Sequence, residues 1–196
     1  MGEIKSALEL ALEKTAGVES DKKSVEEHDH KQKGKRLLSQ LTENPKLDIK
    51  KELGKYSKEQ RKWVVDGFVD VALSNIALPT SEADLARLDP IRNGLAQALG
   101  KKSEIDYLFD QADQLLKQYL DNRQQLIEHV RSQFSQRLRE KEEELARQYG
   151  QSVRLDPAQD PEFANVLQQN MRQLQNQYQQ VLDQLRDEIR RLHQGG

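Results

Sequence analysis

The chain has no cysteine, five prolines and ten glycines among 196 residues, and its aromatic residues make up only 5% of the whole. Each shortage closes a class of explanation. Without cysteine there is no disulfide, no thiolate nucleophile and no sulfur-ligated zinc, and the chain suits a reducing compartment. Sparse Gly and Pro leave too little punctuation for the tight turns of an all-β fold. No apolar run approaches the roughly 20 residues of a membrane span. The opening residues also lack the apolar core of a signal peptide, so a cytoplasmic setting with no membrane partner is expected. An excess of one charge is missing too. With 31 basic and 33 acidic side chains the net charge is -2, and no basic field advertises nucleic acid.

What remains is helix-forming and polar: 33% of residues are charged, 35% are hydrophobic, and the mean hydropathy is -0.91. Helices one or two layers deep suit that balance better than one thick core. The expected fold is all-α, with a small helical body followed by a long antiparallel helical hairpin of coiled-coil character.

Along the chain the pattern changes four times. Residues 1–18 read as a short amphipathic docking helix with Ile4, Leu8, Ala11 and Leu12 on one stripe, stopped at Gly17. Residues 19–36 are dense in charge with Val25 as the one sizeable apolar residue, which predicts a charged tether, either a solvated helix that Gly34 weakens further or a flexible segment. Residues 37–100 read as a compact helical domain. Its centre is a helix opened by the Ser57/Gln60 capping box and ended by Pro79, with Trp63, Val65, Phe68, Val69 and Ile76 as the core. Asp89-Pro90 either kinks or restarts the next helix, and Gly100 closes the domain. Residues 101–196 form the hairpin: one helix capped by Ser103 and stopped at Gly150, then a second opened by Pro161.

The first hairpin helix carries Ile105, Leu108, Ala112, Leu115 and Tyr119, then after a phase shift Ile127, Val130, Phe134, Leu138 and Tyr149. The second carries a heptad seam of Leu167, Met171, Leu174, Tyr178, Val181, Leu185 and Leu192, broken once by Glu188. Val166, Leu182 and Ile189 widen it into a spare stripe. One partner helix cannot cover both, so a homodimer or higher oligomer is expected, with Leu182 and Ile189 among its contacts, and a fold-back onto the Trp63 helix is the rival.

Candidate sites are few. On a helix His28 and His30 point apart, so with Glu26 they give two metal ligands at most, and no metal is expected. Asp66 and Asp70 stack four apart without a supporting base, which reads as the solvated stripe of the core helix, and Gly67 beside them marks a close helix contact. The Lys-rich stretch 31–62, through Lys33, Lys35, Arg36, Lys50 and Lys51, is the one place where phosphates would be gripped. Gly2 and Ser6 match a short acylation pattern that the surrounding glutamates oppose, and Gly195-Gly196 reads as a frayed end. No phosphate-cradling loop, nucleophile elbow or zinc-protease motif is present, so neither an enzyme nor a cofactor is expected.

The opening Met1-Gly2-Glu3-Ile4-Lys5-Ser6-Ala7-Leu8-Glu9-Leu10-Ala11-Leu12-Glu13-Lys14-Thr15 resembles the start of uncharacterised helical bacterial proteins. The resemblance implies a bacterial cytoplasmic setting and no activity. The function expected is a non-enzymatic scaffold or adaptor that associates with itself through the hairpin and binds an unidentified protein partner by helix packing. A nucleic-acid- or ribosome-associated factor using residues 31–62 is the alternative, and a holdase-like chaperone is a further one.

Overall fold

The computed structural model describes residues 7–150, 156 and 160–195, with side chains from residue 22 onward. Every regular element among the described residues is helical: α1 (Ala7–Glu43), α2 (Ile49–Leu53), α3 (Lys58–Asn75), a 3-10 turn (Glu82–Arg87), α4 (Leu88–Leu99), α5 (Lys102–Tyr149) and α6 (Pro161–Gln194). They divide into two compact units. The first holds the chain up to Ile76, Asp89–Asp106 and the residues from Arg190 on; the second holds Ala77–Leu88 and Tyr107–Ile189.

The first unit corrects the expected tether. α1 passes through Gly17 and the charged segment without a break. Its inward face is made of His30, Gly34, Leu37, Leu38 and Leu41, all buried. An apolar count misses such a face because half of its length is a histidine and a glycine. The glycine is what brings the helices together: a Cβ at Gly34 would stand 2.0 Å from the Val64 carbonyl oxygen, and one at Gly67 would stand 2.0 Å from that of Lys31. α1 and α3 therefore cross backbone to backbone, as Gly67 suggested. The compact region begins well before residue 37.

The capping box that opens α3 forms as expected. Ser57 Oγ accepts from the Gln60 N–H, and Gln60 Oε1 accepts from the Ser57 N–H. Gln60 Nε2 then donates to Glu26 of α1 at 3.1 Å, which ties the cap to its neighbour. Trp63, Val65, Phe68, Val69 and Ile76 are all buried. α3 ends at Asn75, before Pro79. α4 restarts the helix after the 3-10 turn and packs closely, since a Cβ at Gly94 would meet Leu41 and Phe68 at 2.6 Å. Gln97 Oε1 accepts from the Ile49 N–H at the start of α2. Gly100 and Gly150 stop α4 and α5 with φ of 69° and 68°, a left-handed geometry that glycine alone adopts without strain. The domain boundary expected at Gly100 lies elsewhere. The first turn of α5 and the last residues of α6 belong to the first unit, and Ala77–Leu88 belongs to the second. Ser103 lies inside α5, not at its cap.

The second unit is an antiparallel hairpin of α5 and α6, as expected. Tyr119 meets Tyr178 edge to face at 5.3 Å, Phe134 meets Phe163 in the same way at 5.4 Å, and Arg137 pairs with Glu162 at 3.0 Å. Residue numbers thus climb on one helix as they fall on the other. Val130, Phe134 and Phe163 form a buried cluster with Leu126, Val166 and Leu167 packed on it.

The stripe that α6 buries shares only Tyr178 and Leu185 with the expected seam. Tyr178, Leu182, Leu185 and Ile189 go inside, with Leu182 and Ile189 fully buried, while Val181 is 46% exposed. Both readings step alternately by three and four residues, so periodicity cannot choose between them. Chemistry does, because the expected seam would have buried Glu188 without a place in water. On α5 the same rotation buries Phe109 and Leu116 and leaves Leu108 and Leu115 half-exposed. Leu182 and Ile189 are therefore no spare stripe, and a dimer cannot be argued from them.

Candidate interaction surfaces

Beside the buried stripe, α5 and α6 each carry a second series with the same alternating spacing. On α5 it runs Leu108, Gln111, Leu115, Gln118, Asn122, Gln125; on α6 it runs Asn170, Leu174, Gln177, Val181, Gln184, Glu188. The two series line a pair of open grooves. One lies at residues 108–118 and 181–188, the other at residues 122–129 and 170–177. Of the described residues lining them, Glu188 and His129 alone are ionisable, in a chain that is 33% charged. A third groove on the same hairpin makes the contrast, being lined by Arg137, Glu140, Lys141, Glu144, Asp160 and Glu162. Two contacts steady the neutral face: Asn122 Nδ2 donates to the Tyr178 hydroxyl at 2.7 Å, and Asn170 Nδ2 donates to the Val166 carbonyl.

Of the expected self-association residues, Tyr178, Leu182, Leu185 and Ile189 are occupied inside the chain. Leu167, Met171, Leu174 and Leu192 are half-buried, and Val181 is open. The expected docking residues fall elsewhere. Ile4 lies outside the described residues, and so do the side chains of Leu8, Ala11 and Leu12, whose backbone belongs to α1.

The basic stretch is exposed at Lys33, Lys35, Arg36, Lys50 and Lys51. Its neighbours are partly neutralised. Lys31 pairs with Glu27, Lys55 with Glu52 and Lys23 with Glu59, each at 2.7 Å or less. Carboxylates beside Lys23 and Lys31 raise the pKa of both ammonium groups, through the hydrogen bonds these donate to Glu59 and Glu27 respectively. Lys33 lies over the Tyr56 ring at 6.0 Å.

The histidines have other employment. His30 is 7% exposed and lies 5.8 Å from Tyr56 and 5.9 Å from Trp63, ring to ring. Its Nδ1 donates to the Glu26 carbonyl at 2.8 Å, so the pair meets through the backbone and not as two ligands. His28 contacts Gln32 on the exposed side. Among the described residues no three His, Asp or Glu side chains are grouped as a metal would need.

Asp66 is a correction. It is not simply part of the solvated stripe, because His193 Nε2 donates to its carboxylate at 2.6 Å. Lys101 Nζ donates to the Leu192 carbonyl beside it. These partners lie far apart in the sequence, and no spacing rule joins them. Asp70 is exposed, as expected.

In the second unit, Asp84 takes hydrogen bonds from the Thr80 hydroxyl and from the backbone N–H groups of Thr80 and Ser81. Those donors, the hydroxyl first, hold its carboxyl down at about 2.

No helix among the described residues is long and apolar enough to cross a membrane. No curated protein and no solved structure matches the chain. A family model does match, over residues 50–191, which takes in part of the first unit and all of the second and leaves out α1. The chain belongs to that family, DUF6657, a family of unknown function.

Proposed function

We propose that the chain is a non-enzymatic cytoplasmic scaffold or adaptor that works by packing its helices against other proteins. The observation that carries this reading is the neutral, heptad-spaced face of α5 and α6. Catalytic clefts gather convergent titratable groups whose acidity their surroundings shift. This face instead repeats amides and aliphatics at the pitch of a helix, which is the pattern that accepts another helix. The first turns of α1 would add a second contact through Leu8, Ala11 and Leu12. Since α1 is continuous, they would act as the end of a rigid helix and not as a bait on a tether.

Affinity capture from the native cell tests the reading, comparing the full chain with a Val181→Glu variant and with a chain lacking residues 1–18. A protein held in stoichiometric amount by the full chain and lost from either variant supports it. Retention of nucleic acid that falls steeply with salt, and falls again when Lys33, Lys35, Lys50 and Lys51 become Gln, replaces it with the nucleic-acid reading. Suppressed aggregation of many unfolded clients, with no stoichiometric partner, replaces it with a holdase.

A further inference from the structure

Resting on the scaffold reading, we propose that the neutral face of α5 and α6 seats the same face of a second copy of this chain, closing a two-fold four-helix bundle. Three observations choose that occupant. The first is its chemistry. Gln and Asn each present a donor and an acceptor on one amide, so a ladder of them is complementary to itself. A two-fold interface places like against like, which amides tolerate and charges do not. Gln111, Gln118 and Gln125 recur every seventh residue on α5, and Asn170, Gln177 and Gln184 do so on α6. Leu115, Leu174 and Val181 lie between them as the apolar knobs. Among the described residues neither Lys nor Arg lines the two neutral grooves, so phosphates and an anionic lipid surface have nothing to grip there.

The second is size. From Leu108 to His129 the face is about 30 Å long, and two helix diameters make it about 20 Å wide. Paired copies then bury about 1,200 Å², the lower edge of what a stable association needs.

The third is charge, and it fixes the direction of the axis. Glu188 stands at one end of the face and His129 at the other. A two-fold axis parallel to the helices would bring the two Glu188 side chains to the same level. An axis across the helices separates them and sets Glu188 of one copy toward the His129 end of the other. In that arrangement α5 lies antiparallel on α5 of its partner, and the midpoint of the face falls at Gln118.

The test uses the full chain. Light scattering is expected to return twice the 22.7 kDa of one chain at micromolar concentration. Val181 is 46% exposed, so Val181→Glu should leave the helix content unchanged while weakening the dimer by tenfold or more, on the order of what like charges at a two-fold produce. Val25→Glu, at a site 63% exposed on α1, should leave the mass unchanged. Because the chain has no cysteine, single replacements report the register. Gln118→Cys should cross-link to its copy under mild oxidation, and Gln111→Cys, two turns off the axis, should not. A monomer at tens of micromolar, a dimer indifferent to Val181→Glu, or cross-linking at position 111 as fast as at 118 would each overturn the proposal. A monomer that still captures a protein partner removes only this inference. A dimer of the stated geometry that captures nothing removes the adaptor reading and leaves the dimer standing.

Discussion

The two units bury their apolar surface by different means. In the first, backbones come together: Gly34 and Gly67 let α1 and α3 cross so closely that neither position has room for a methyl group. In the second, side chains do the work in layers, with Tyr119 on Tyr178 and Phe134 on Phe163 along two long helices. A backbone crossing leaves nothing to trade, whereas a layered hairpin can rotate its helices slightly and choose which stripe to bury. That freedom is also why the second unit keeps an open, regular face beside its core.

The sharpest way to break the comparison is at the centre of the first unit. Phe68 is 1% exposed, and Phe68→Ala should lower stability by about 3–5 kcal/mol, measured by denaturant unfolding. Gly34→Ala comes next. The added carbon meets backbone atoms that cannot swing away, so the loss should reach about 3 kcal/mol, the upper part of the overpacking range. A neutral Gly34→Ala would mean that α1 does not depend on that crossing, and the contrast between the units would fail.

Smaller effects sharpen the contrast. Tyr178→Phe removes the hydroxyl that accepts from Asn122 and should cost about 1 kcal/mol of stability in denaturant unfolding, with the ring layer intact. Asp66→Ala in the first unit deprives His193 of its acceptor and should be of similar size, on the order of 1 kcal/mol. A loss at Asp66 no greater than at exposed Asp70 would show that the His193 contact adds nothing. The smallest effect is in acid. The carboxyl of Asp84 is depressed in the folded chain, so its contribution is complete above the ordinary value of 3.8 and is lost as the pH falls toward about 2. NMR titration of that carboxyl should follow this window, and Thr80→Ala should move the midpoint up.

Much of the architecture could be read in advance because it rests on local rules. The capping box at Ser57, the stops at Gly100 and Gly150 and the core around Phe68 each depend on residues within one or two turns of one another. The readings that failed needed a neighbour. Residues 19–36 look solvent-bound until α3 is known to lie against His30 and Gly34. Leu182 and Ile189 look surplus until α5 is in place.

The amino-acid sequence by itself determined an all-α chain, the capping box at Ser57, the stops at Gly100 and Gly150 and the antiparallel hairpin, since propensity, caps and heptad spacing act within a single element. Only the tertiary structure decided how far α1 runs, where His193 finds Asp66, and which of two equally spaced stripes on α6 goes inside. The reason is physical. Periodicity tells how apolar residues repeat around a helix but not the angle at which the helix is turned. That angle is set by the whole surface it meets, including the single glutamate that must stay in water.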